Sequence, residues 1–285
     1  MKFANNVEKK AFDKLVKELP TLTEKRCHGY DELYGHKLLP GTYYDEAVAH
    51  ALIYKFCKAY KFEYEAAASA LCSTLNWRRE FDPLSAAFSE RHDETLTKIG
   101  VLTKYPNEEA NKKVVTWNLY GDLAKQTHVF EDVNKFLRYR IGLMERSIGL
   151  LDFKDETNNY VAQVHDYDGV SMWRMDPKIK KCTKQVIAVF QEHYPELLSA
   201  KFFINVPSLL TWVYDVVKRF VNEDTRKKFV VLNDGTKLGQ FLSSAPSKLY
   251  GGKSKDILQD QNVMDVRPTE YTLHLFQQKI SADVE

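Results

Sequence analysis

The chain has 285 residues, of which 44% are hydrophobic and 28% are charged, and its formal net charge is +2 at pH 7. This composition is typical of a folded globular protein, with enough length for one large domain or two modest ones. Because positive and negative charges are nearly balanced, the composition gives no general argument for nucleic acid binding. No apolar run reaches the roughly 18 residues of a membrane-spanning helix, and the first residues lack a signal-peptide pattern, so we expect neither.

Four cysteines are scattered along the chain, at positions Cys27, Cys57, Cys72 and Cys182. None of them belongs to a Cys-x-x-Cys pair, which argues against a structural zinc site. We therefore expect reduced thiols in a cytosolic protein.

The first part of the chain is predicted to be helical. Residues 44–60 and 63–81 each repeat apolar side chains at helical spacing. The second of these helices is expected to end at Asp82 and Pro83, because a residue before proline avoids the helical region. A change of composition over residues 82–110 marks a domain boundary, and no strand is expected before its end.

After that boundary, short apolar strands alternate with helices. Strands are predicted at residues 113–119, 161–165, 170–174, 202–206 and 229–232, and helices at residues 132–151, 177–193 and 208–221. Asp176 and Pro177 have the residue types of a helix cap and a first helical residue. This alternation predicts an α/β fold in which helices cover a sheet.

The strand predicted at residues 161–165 carries the most informative side chains. It lies in the segment YVAQVHDYDGV, which ends in an Asp-Gly turn. Because the side chains of a strand alternate between faces, His165 and Tyr167 point the same way. A buried imidazole and phenol need partners. Two interpretations stay open: a hydrogen-bonded pair in a packed core, which the spacing alone favours, or a pair facing a ligand that contains a metal or a strong acceptor.

Arg140 lies inside the apolar stripe of the helix predicted at residues 132–151, one turn from Leu137 and Met144. A guanidinium group keeps its charge, so on a buried face it needs an anion. That anion is either an internal Asp or Glu, or the carboxylate or phosphate of a ligand.

Lys201 opens one predicted strand and Tyr120 ends another. Each has a plain structural interpretation, as a solvated lysine and a core tyrosine, and each could instead contact a ligand. A phenol binds a metal well only as a stabilised phenolate, which ferric iron provides, and tyrosinate ligation of haem is a known mode. The two propionates of haem would suit Arg140 and Lys201, beside Tyr167 and His165.

The residues form no recognisable catalytic set. The sequence has no glycine-rich phosphate loop and no nucleophile elbow, and the pair Gly251 and Gly252 has the pattern of a turn. An acid–base pair of His165 and Tyr167 would lack a supporting carboxylate and an oxyanion donor. We therefore expect a protein that is not an enzyme.

Six stretches carry a family resemblance. They are LIYKFCKAYKFE at residues 52–63, LNWRREF at 75–81, VHDYDGV at 164–170, YPE at 194–196, NVP at 205–207 and YGG at 250–252. In this order they resemble the CRAL-TRIO lipid-transfer family. The resemblance implies a small helical N-terminal domain and an α/β lobe with a mixed sheet, flanking helices and a hydrophobic pocket gated by residues 208–221. The implied divisions are residues 1–85, residues 86–262 and a C-terminal extension, residues 263–285.

The same resemblance implies a lipid headgroup site. In family members that bind phosphatidylinositol, a Glu, a Thr and a Lys hold the headgroup, and the matching positions here are Glu196, Thr225 and Lys228. Tyr60 stands where that headgroup site has an arginine. This departure from the family's headgroup site argues against fully classical phospholipid binding.

From residues 30–35 to residues 267–271 the chain is similar to one yeast branch of the family, described both as a non-classical phosphatidylinositol transfer protein and as haem-binding. This similarity implies ferric haem b as the cofactor and Tyr167 as its axial iron ligand. In other branches the positions of His165 and Tyr167 are apolar. The other implied haem contacts are His165, Tyr120, Arg140, Lys201 and, near the iron, Tyr60.

The resemblance thus predicts a non-classical phosphatidylinositol transfer protein that binds haem in its hydrophobic pocket and is linked to phosphoinositide homeostasis. The alternative is a plain phosphatidylinositol transfer protein without haem. The expected partners are haem, phosphatidylinositol and a membrane surface, without nucleic acid. We expect the protein in the cytoplasm, peripherally associated with endoplasmic reticulum or microsomal membranes and with the plasma membrane.

Overall fold

The computed structural model describes residues 1–170, 177–206 and 223–282. Its first part contains three long helices, α1 (Asn6–Arg26), α2 (Glu46–Ala59) and α3 (Tyr64–Phe81). Asn5 and Asp45 begin the first two, because their side-chain oxygens accept backbone N–H groups of the first turn. The apolar faces of the three helices share one core, and the helices predicted at residues 44–60 and 63–81 are confirmed.

A short antiparallel hairpin separates α1 from α2. Its strands are β1 (Glu32–Leu33) and β2 (His36–Lys37), and in the turn between them Tyr34 and Gly35 have φ angles of 53° and 82°. The prediction that no strand precedes the boundary is therefore wrong. Strands of two residues are too short to show a period of two, so the sequence pattern does not reveal them.

Within the described residues, five strands form the sheet of the second part. In spatial order they are β3 (Gly100–Lys104), β4 (Val114–Leu119), β5 (Val161–Asp166), β6 (Leu198–Ile204) and β7 (Phe229–Leu232). β3 runs antiparallel to β4, whereas the other neighbours are parallel, so the sheet is mixed. Central parallel strands are buried on both faces, and all six residues of β5 are buried.

Four of the predicted strands are confirmed, those at residues 113–119, 161–165, 202–206 and 229–232. The third begins earlier than predicted, at Leu198, and ends at Ile204 because Asn205 leaves it with a φ of 54°. β3 also contradicts the prediction that no strand precedes the end of the boundary, because it lies within residues 82–110. Its residues 100–103 are all buried, so it lacks the alternation of polar and apolar residues that would predict a strand.

The helices described in this part are α4 (Pro83–Phe88), α5 (Glu94–Ile99), α6 (Val133–Ile148), α7 (Pro177–His193), α8 (Glu223–Arg226), α9 (Ser247–Tyr250) and α10 (Glu270–Ala282). α5 and α6 pack against β3 and β4, whereas α10 contacts β2 of the hairpin. Asp132 caps α6 by accepting the backbone N–H groups of Asn134 and Lys135. α6 and α7 confirm the helices predicted at residues 132–151 and 177–193, although α6 ends at Ile148.

Three sequence predictions lie outside the described residues. They are the strand at residues 170–174 apart from Val170, the helix cap at Asp176, and the gating helix at residues 208–221.

A buried ionic network joins the helical part to the lobe. The guanidinium of Arg78 on α3 donates to Glu32 Oε1 and Oε2 at 2.8 and 2.9 Å, and to Glu145 Oε1 on α6 at 2.6 Å. These three side chains are almost completely inaccessible to solvent. Tyr30 donates to Glu32 and Tyr194 donates to Glu145, at 2.8 and 2.6 Å. The network therefore fixes α3 and β1 against α6 with every charge hydrogen-bonded.

Candidate functional site

His165 and Tyr167 lie at the C-terminal end of β5, on the face that the strand alternation predicts. His165 is 4% exposed and is paired across the sheet with Phe203 of β6. The ring of Tyr120, just after β4, lies 5.4 Å from the ring of His165 and 5.4 Å from that of Tyr167. The ring of Phe203 lies 5.5 Å from His165. Four flat side chains thus meet on one face of the sheet, which we call the aromatic cluster.

Asp166 fixes the backbone that carries Tyr167. Its Oδ1 accepts the backbone N–H of Asp168 at 2.9 Å and the side-chain amide of Asn205 at 2.8 Å. Its Oδ2 accepts the hydroxyl of Tyr250 at 2.9 Å. Because these donors come from three parts of the chain, the turn after β5 is held from several sides.

The YGG stretch, residues 250–252, places Tyr250 through close backbone contacts. Gly251 has a φ of 67°, and a Cβ atom there would lie 1.9 Å from the backbone oxygen of Thr236. A Cβ atom on Gly252 would lie 2.0 Å from the backbone oxygen of Ala245. Only glycine fits both positions, which explains this part of the sequence pattern.

Arg140 is buried without a counter-ion among the residues that the structure describes. It is 4% exposed, and its Nε and Nη1 atoms are buried with no hydrogen-bond partner in the described chain. Glu145, a carboxylate of the same helix, is already bound to Arg78. The sequence analysis left two possible partners for Arg140, an internal Asp or Glu and the carboxylate or phosphate of a ligand. No described Asp or Glu forms an ion pair with it. A guanidinium with two unsatisfied donors is a site for an anion from outside the chain.

Lys201 adds a second cation. It pairs across the strands with Gln163 of β5, and its Nζ lies 5.5 Å and 5.8 Å from the ring centroids of Phe203 and Phe229. Burial, together with the charge of Arg140, lowers the pKa of Lys201 to about 7. No ion pair to an Asp or Glu of the described chain compensates it. An anion bound nearby would restore its charge.

Burial, modified by nearby charges, sets the ionisation of the aromatic cluster. Burial and then the charges of Lys201 and Arg140 hold the pKa of His165 well below its usual range, so its imidazole is neutral. Burial also raises the pKa of Tyr167, assisted by Tyr120 and opposed by Arg140. Tyr167 is therefore a neutral phenol beside a cation that favours its anionic form.

A cavity of about 270 Å³ opens beside this face. Its lining includes Tyr60 and Lys58 at the end of α2, Arg140 and Met144 of α6, Val186 and Phe190 of α7, Gln163 of β5, Lys201 of β6, and Glu196, Thr225 and Lys228 at the mouth. Six of the nine residues that the sequence singled out therefore share one cavity. His165, Tyr167 and Tyr120 do not line this cavity. However, His165 Nε2 lies 3.5 Å from Oε1 of Gln163, and Gln163 does line it.

Glu196 lies among three lysines at the mouth. Lys58 Nζ is 2.8 Å from its Oε2 and Lys228 Nζ is 4.0 Å from its Oε1, while Lys55 Nζ donates to its backbone oxygen at 2.8 Å. Burial alone would raise the pKa of Glu196, but the Lys58 hydrogen bond and the nearby ammonium groups outweigh burial. The pKa is therefore below its ordinary value, and the carboxylate stays charged. The surplus of cations suits a phosphate group.

Sequence reasoning missed four residues of these sites: Lys55, Lys58, Tyr160 and Gln163. Lys55 and Lys58 lie one turn apart on α2 and reach the lobe, where Lys55 Nζ stands 3.6 Å from the ring centroid of Tyr160. Gln163 shares the face of His165, so strand alternation could have identified it. The two lysines gave no signal, because their partners lie more than a hundred residues away.

The four cysteines are buried, and none of them forms a disulfide. No three His, Cys, Asp or Glu side chains of the described chain are grouped closely enough to hold a metal ion. In residues 1–170, 177–206 and 223–282, no helix combines the length and the apolar character needed to cross a membrane.

Known proteins resemble this chain over its full length. Residues 100–252 match the CRAL/TRIO domain. The phosphatidylinositol transfer protein SFH5 of Saccharomyces cerevisiae is 56% identical, with 100% of each chain covered, and SFH5 of Candida albicans is 42% identical, covering 90% of this chain and 85% of its own. The crystal structure of Sfh5 superposes with a TM-score of 0.97, covering 99% of this chain and 100% of that chain. The chain therefore belongs to the CRAL/TRIO family.

Proposed function

We propose that this chain is a non-classical phosphatidylinositol transfer protein that also binds ferric haem b in its lobe, where Tyr167 would supply the phenolate oxygen that holds the iron. One observation carries the haem part. Arg140 is buried with two unsatisfied donors, next to Lys201 and the aromatic cluster. A planar ligand with two carboxylates would suit both the cations and the aromatic cluster, since its carboxylates would pair with the cations and the aromatic rings would contact its plane.

Arg140 and Lys201, which both line the cavity, fit the two carboxylates of that group. Arg140 and Lys201 would hold the propionates, and Tyr120, His165 and Phe203 would contact the macrocycle. Bound ferric haem supplies a Lewis-acidic iron, which stabilises a coordinating phenolate. Tyr167 keeps its proton on the hydroxyl oxygen until such a ligand arrives, because burial raises its pKa. His165 stays neutral and offers a ring nitrogen as a hydrogen-bond partner.

The mouth of the cavity supports the lipid part. Glu196, Thr225 and Lys228, the residues matched to the family's headgroup site, line the same opening, and Lys58 adds an ammonium group. The relatives named above are described as phosphatidylinositol transfer proteins. Lipid transfer requires visits to membrane surfaces, so the proposal includes peripheral membrane association from the cytoplasm.

The anion-binding role of Arg140 can be measured directly. An Arg140→Met variant should bind haem at least about tenfold more weakly, because one charge-assisted hydrogen bond contributes roughly 1.5–3 kcal/mol. Titration followed by the Soret absorbance measures the affinity. Lys135→Met is the matched control, since Lys135 is an exposed cation of the same helix. If Arg140→Met and wild-type protein bind haem with equal affinity, Arg140 is not a haem contact.

The lipid part has a separate test. A Lys228→Ala variant should transfer phosphatidylinositol between vesicles at least about tenfold more slowly, because it removes an ammonium group from the headgroup site. Lys227→Ala is the control, because Lys227 is 67% exposed and pairs with Asp224 and Glu223 rather than with Glu196. Equal losses in both variants would point to a general surface-charge effect and against the headgroup site.

A further inference from the structure

We propose that the lobe recognises its porphyrin through the carboxylates and the flat macrocycle rather than through the iron. Metal-free protoporphyrin and other dicarboxylate tetrapyrroles are then ligands in their own right. This inference rests on the proposed haem site and names the ligand class that the site accepts. It would allow one site to hold both the substrate and the product of a metal-insertion reaction.

The first support is the state of two cations that line the cavity, Arg140 and Lys201. Arg78 is bound by two carboxylates and Lys55 by the backbone oxygen of Glu196. Arg140 and Lys201, in contrast, form no ion pair with an Asp or Glu of the described chain, and Arg140 retains two unsatisfied donors. A buried charge without a counter-ion is costly, so an anionic ligand gains that free energy on binding. Two cations match two carboxylates, with or without a metal between them.

The second support is that the surroundings repel a free metal ion. The Lys201 ammonium lies 5.5 Å from the ring centroid of Phe203, a member of the aromatic cluster, and Arg140 lines the same cavity as Lys201, so the potential here is positive. The described residues contain no cluster of three His, Cys, Asp or Glu side chains that could hold a metal. Tyr167 offers one neutral phenol. The described residues thus give iron too few anionic ligands to bind here by itself, so we expect it to arrive inside the porphyrin.

The third support is the geometry of the aromatic cluster. The ring centroids of Tyr120, His165, Tyr167 and Phe203 lie 5.4 to 6.4 Å from one another in neighbouring pairs. The Tyr167 and Phe203 rings are nearly parallel, with an interplanar angle of 25°. Their flat faces would contact a bound macrocycle through dispersion and quadrupole interactions, which do not depend on the metal.

The test compares four probes on the full-length, ligand-free chain: haem, metal-free protoporphyrin, the dimethyl ester of that protoporphyrin, and ferric iron as a soluble chelate. Affinities are measured by Soret absorbance, porphyrin fluorescence and tryptophan quenching. We expect the metal-free porphyrin to bind within about tenfold of haem, and the ester at least about tenfold more weakly than the acid, because its charge-assisted hydrogen bonds are lost. The iron chelate should leave no bound iron after gel filtration.

Three variants distinguish the contribution of the carboxylates from that of the iron. Arg140→Met should weaken haem and metal-free porphyrin alike, and Arg140→Lys should recover part of both affinities because it keeps the charge. Tyr167→Phe should weaken haem alone, down to the level of the metal-free porphyrin. Circular dichroism and urea titration verify that each variant is folded.

The outcomes separate the inference from the proposed function. The inference is overturned if haem binds while the metal-free porphyrin is about a hundredfold weaker or more, or if the ester binds as well as the acid. If metal-free porphyrin binds and haem does not, the inference stands and the tyrosinate site fails. If neither binds, both are wrong.

Discussion

An Arg78→Met variant is expected to lose about 3–5 kcal/mol of unfolding free energy, because it strands the buried carboxylates of Glu32 and Glu145 without their shared cation. Neither carboxylate can reach solvent, since both are almost completely inaccessible. Tyr30 and Tyr194 would remain as their donors, and neutral hydroxyls compensate a charge only in part. Urea unfolding followed by circular dichroism measures the loss.

Arg79→Met is the control for this variant. Arg79 is the next residue of α3, its side chain is 37% exposed, and it pairs only loosely with Glu80 at 3.4 Å. Its replacement should change stability by no more than about 0.5 kcal/mol. Adding Glu145→Gln to Arg78→Met should recover part of the loss, because it removes one stranded charge. A loss below about 1 kcal/mol in Arg78→Met would contradict the role assigned to the network.

The network also reaches the ligand site, because Tyr194 lines the cavity and donates to Glu145. Arg78 therefore supports the wall of the cavity as well as the contact between α3 and α6. We expect haem affinity and stability to fall together in Arg78→Met, whereas Arg140→Met should lower affinity more than stability.

A Tyr167→Phe variant is expected to lose the absorption bands of ferric iron bound to a phenolate, and to bind haem about tenfold more weakly. Phenylalanine keeps the ring and its contacts with Tyr120 and Phe203, so only the hydroxyl oxygen is removed. The remaining affinity comes from Arg140, Lys201 and the ring contacts.

Tyr43→Phe provides the control for Tyr167→Phe, because Tyr43 is 42% exposed and packs against Tyr271 and His274, away from the cavity. Its spectrum should match that of wild-type protein. Tyr120→Phe should keep the phenolate bands, because it leaves Tyr167 in place. If the bands persist in Tyr167→Phe, the iron ligand is another residue.

The long elements of the fold followed from local patterns. α2, α3, α6 and α7 were predictable because each repeats apolar side chains over several turns. β5 was predictable because apolar residues run up to an Asp-Gly turn. β3 and the β1–β2 hairpin were missed for opposite reasons: the former is buried on both faces and shows no alternation, and the strands of the latter are too short to show one.

The site was predictable only where one element carried the signal. The period of two placed His165 and Tyr167 on one face, and the helical stripe identified Arg140 as a cation in an apolar setting. The hydrogen bonds of Lys55 with Glu196 and of Arg78 with Glu145 span 141 and 67 residues. Such pairings depend on the tertiary arrangement, and no local pattern encodes them. The family resemblance, rather than spacing, supplied the headgroup residues and the haem assignment.

The absorption spectrum of protein freshly purified from haem-replete cells tests the central claim most directly. The proposed site predicts a Soret band with ferric phenolate features, and an iron content that approaches one atom per chain at full occupancy. A colourless protein that carries phospholipid by mass spectrometry and gains no Soret band when haem is added would contradict the haem site. The chain would then be a plain phosphatidylinositol transfer protein.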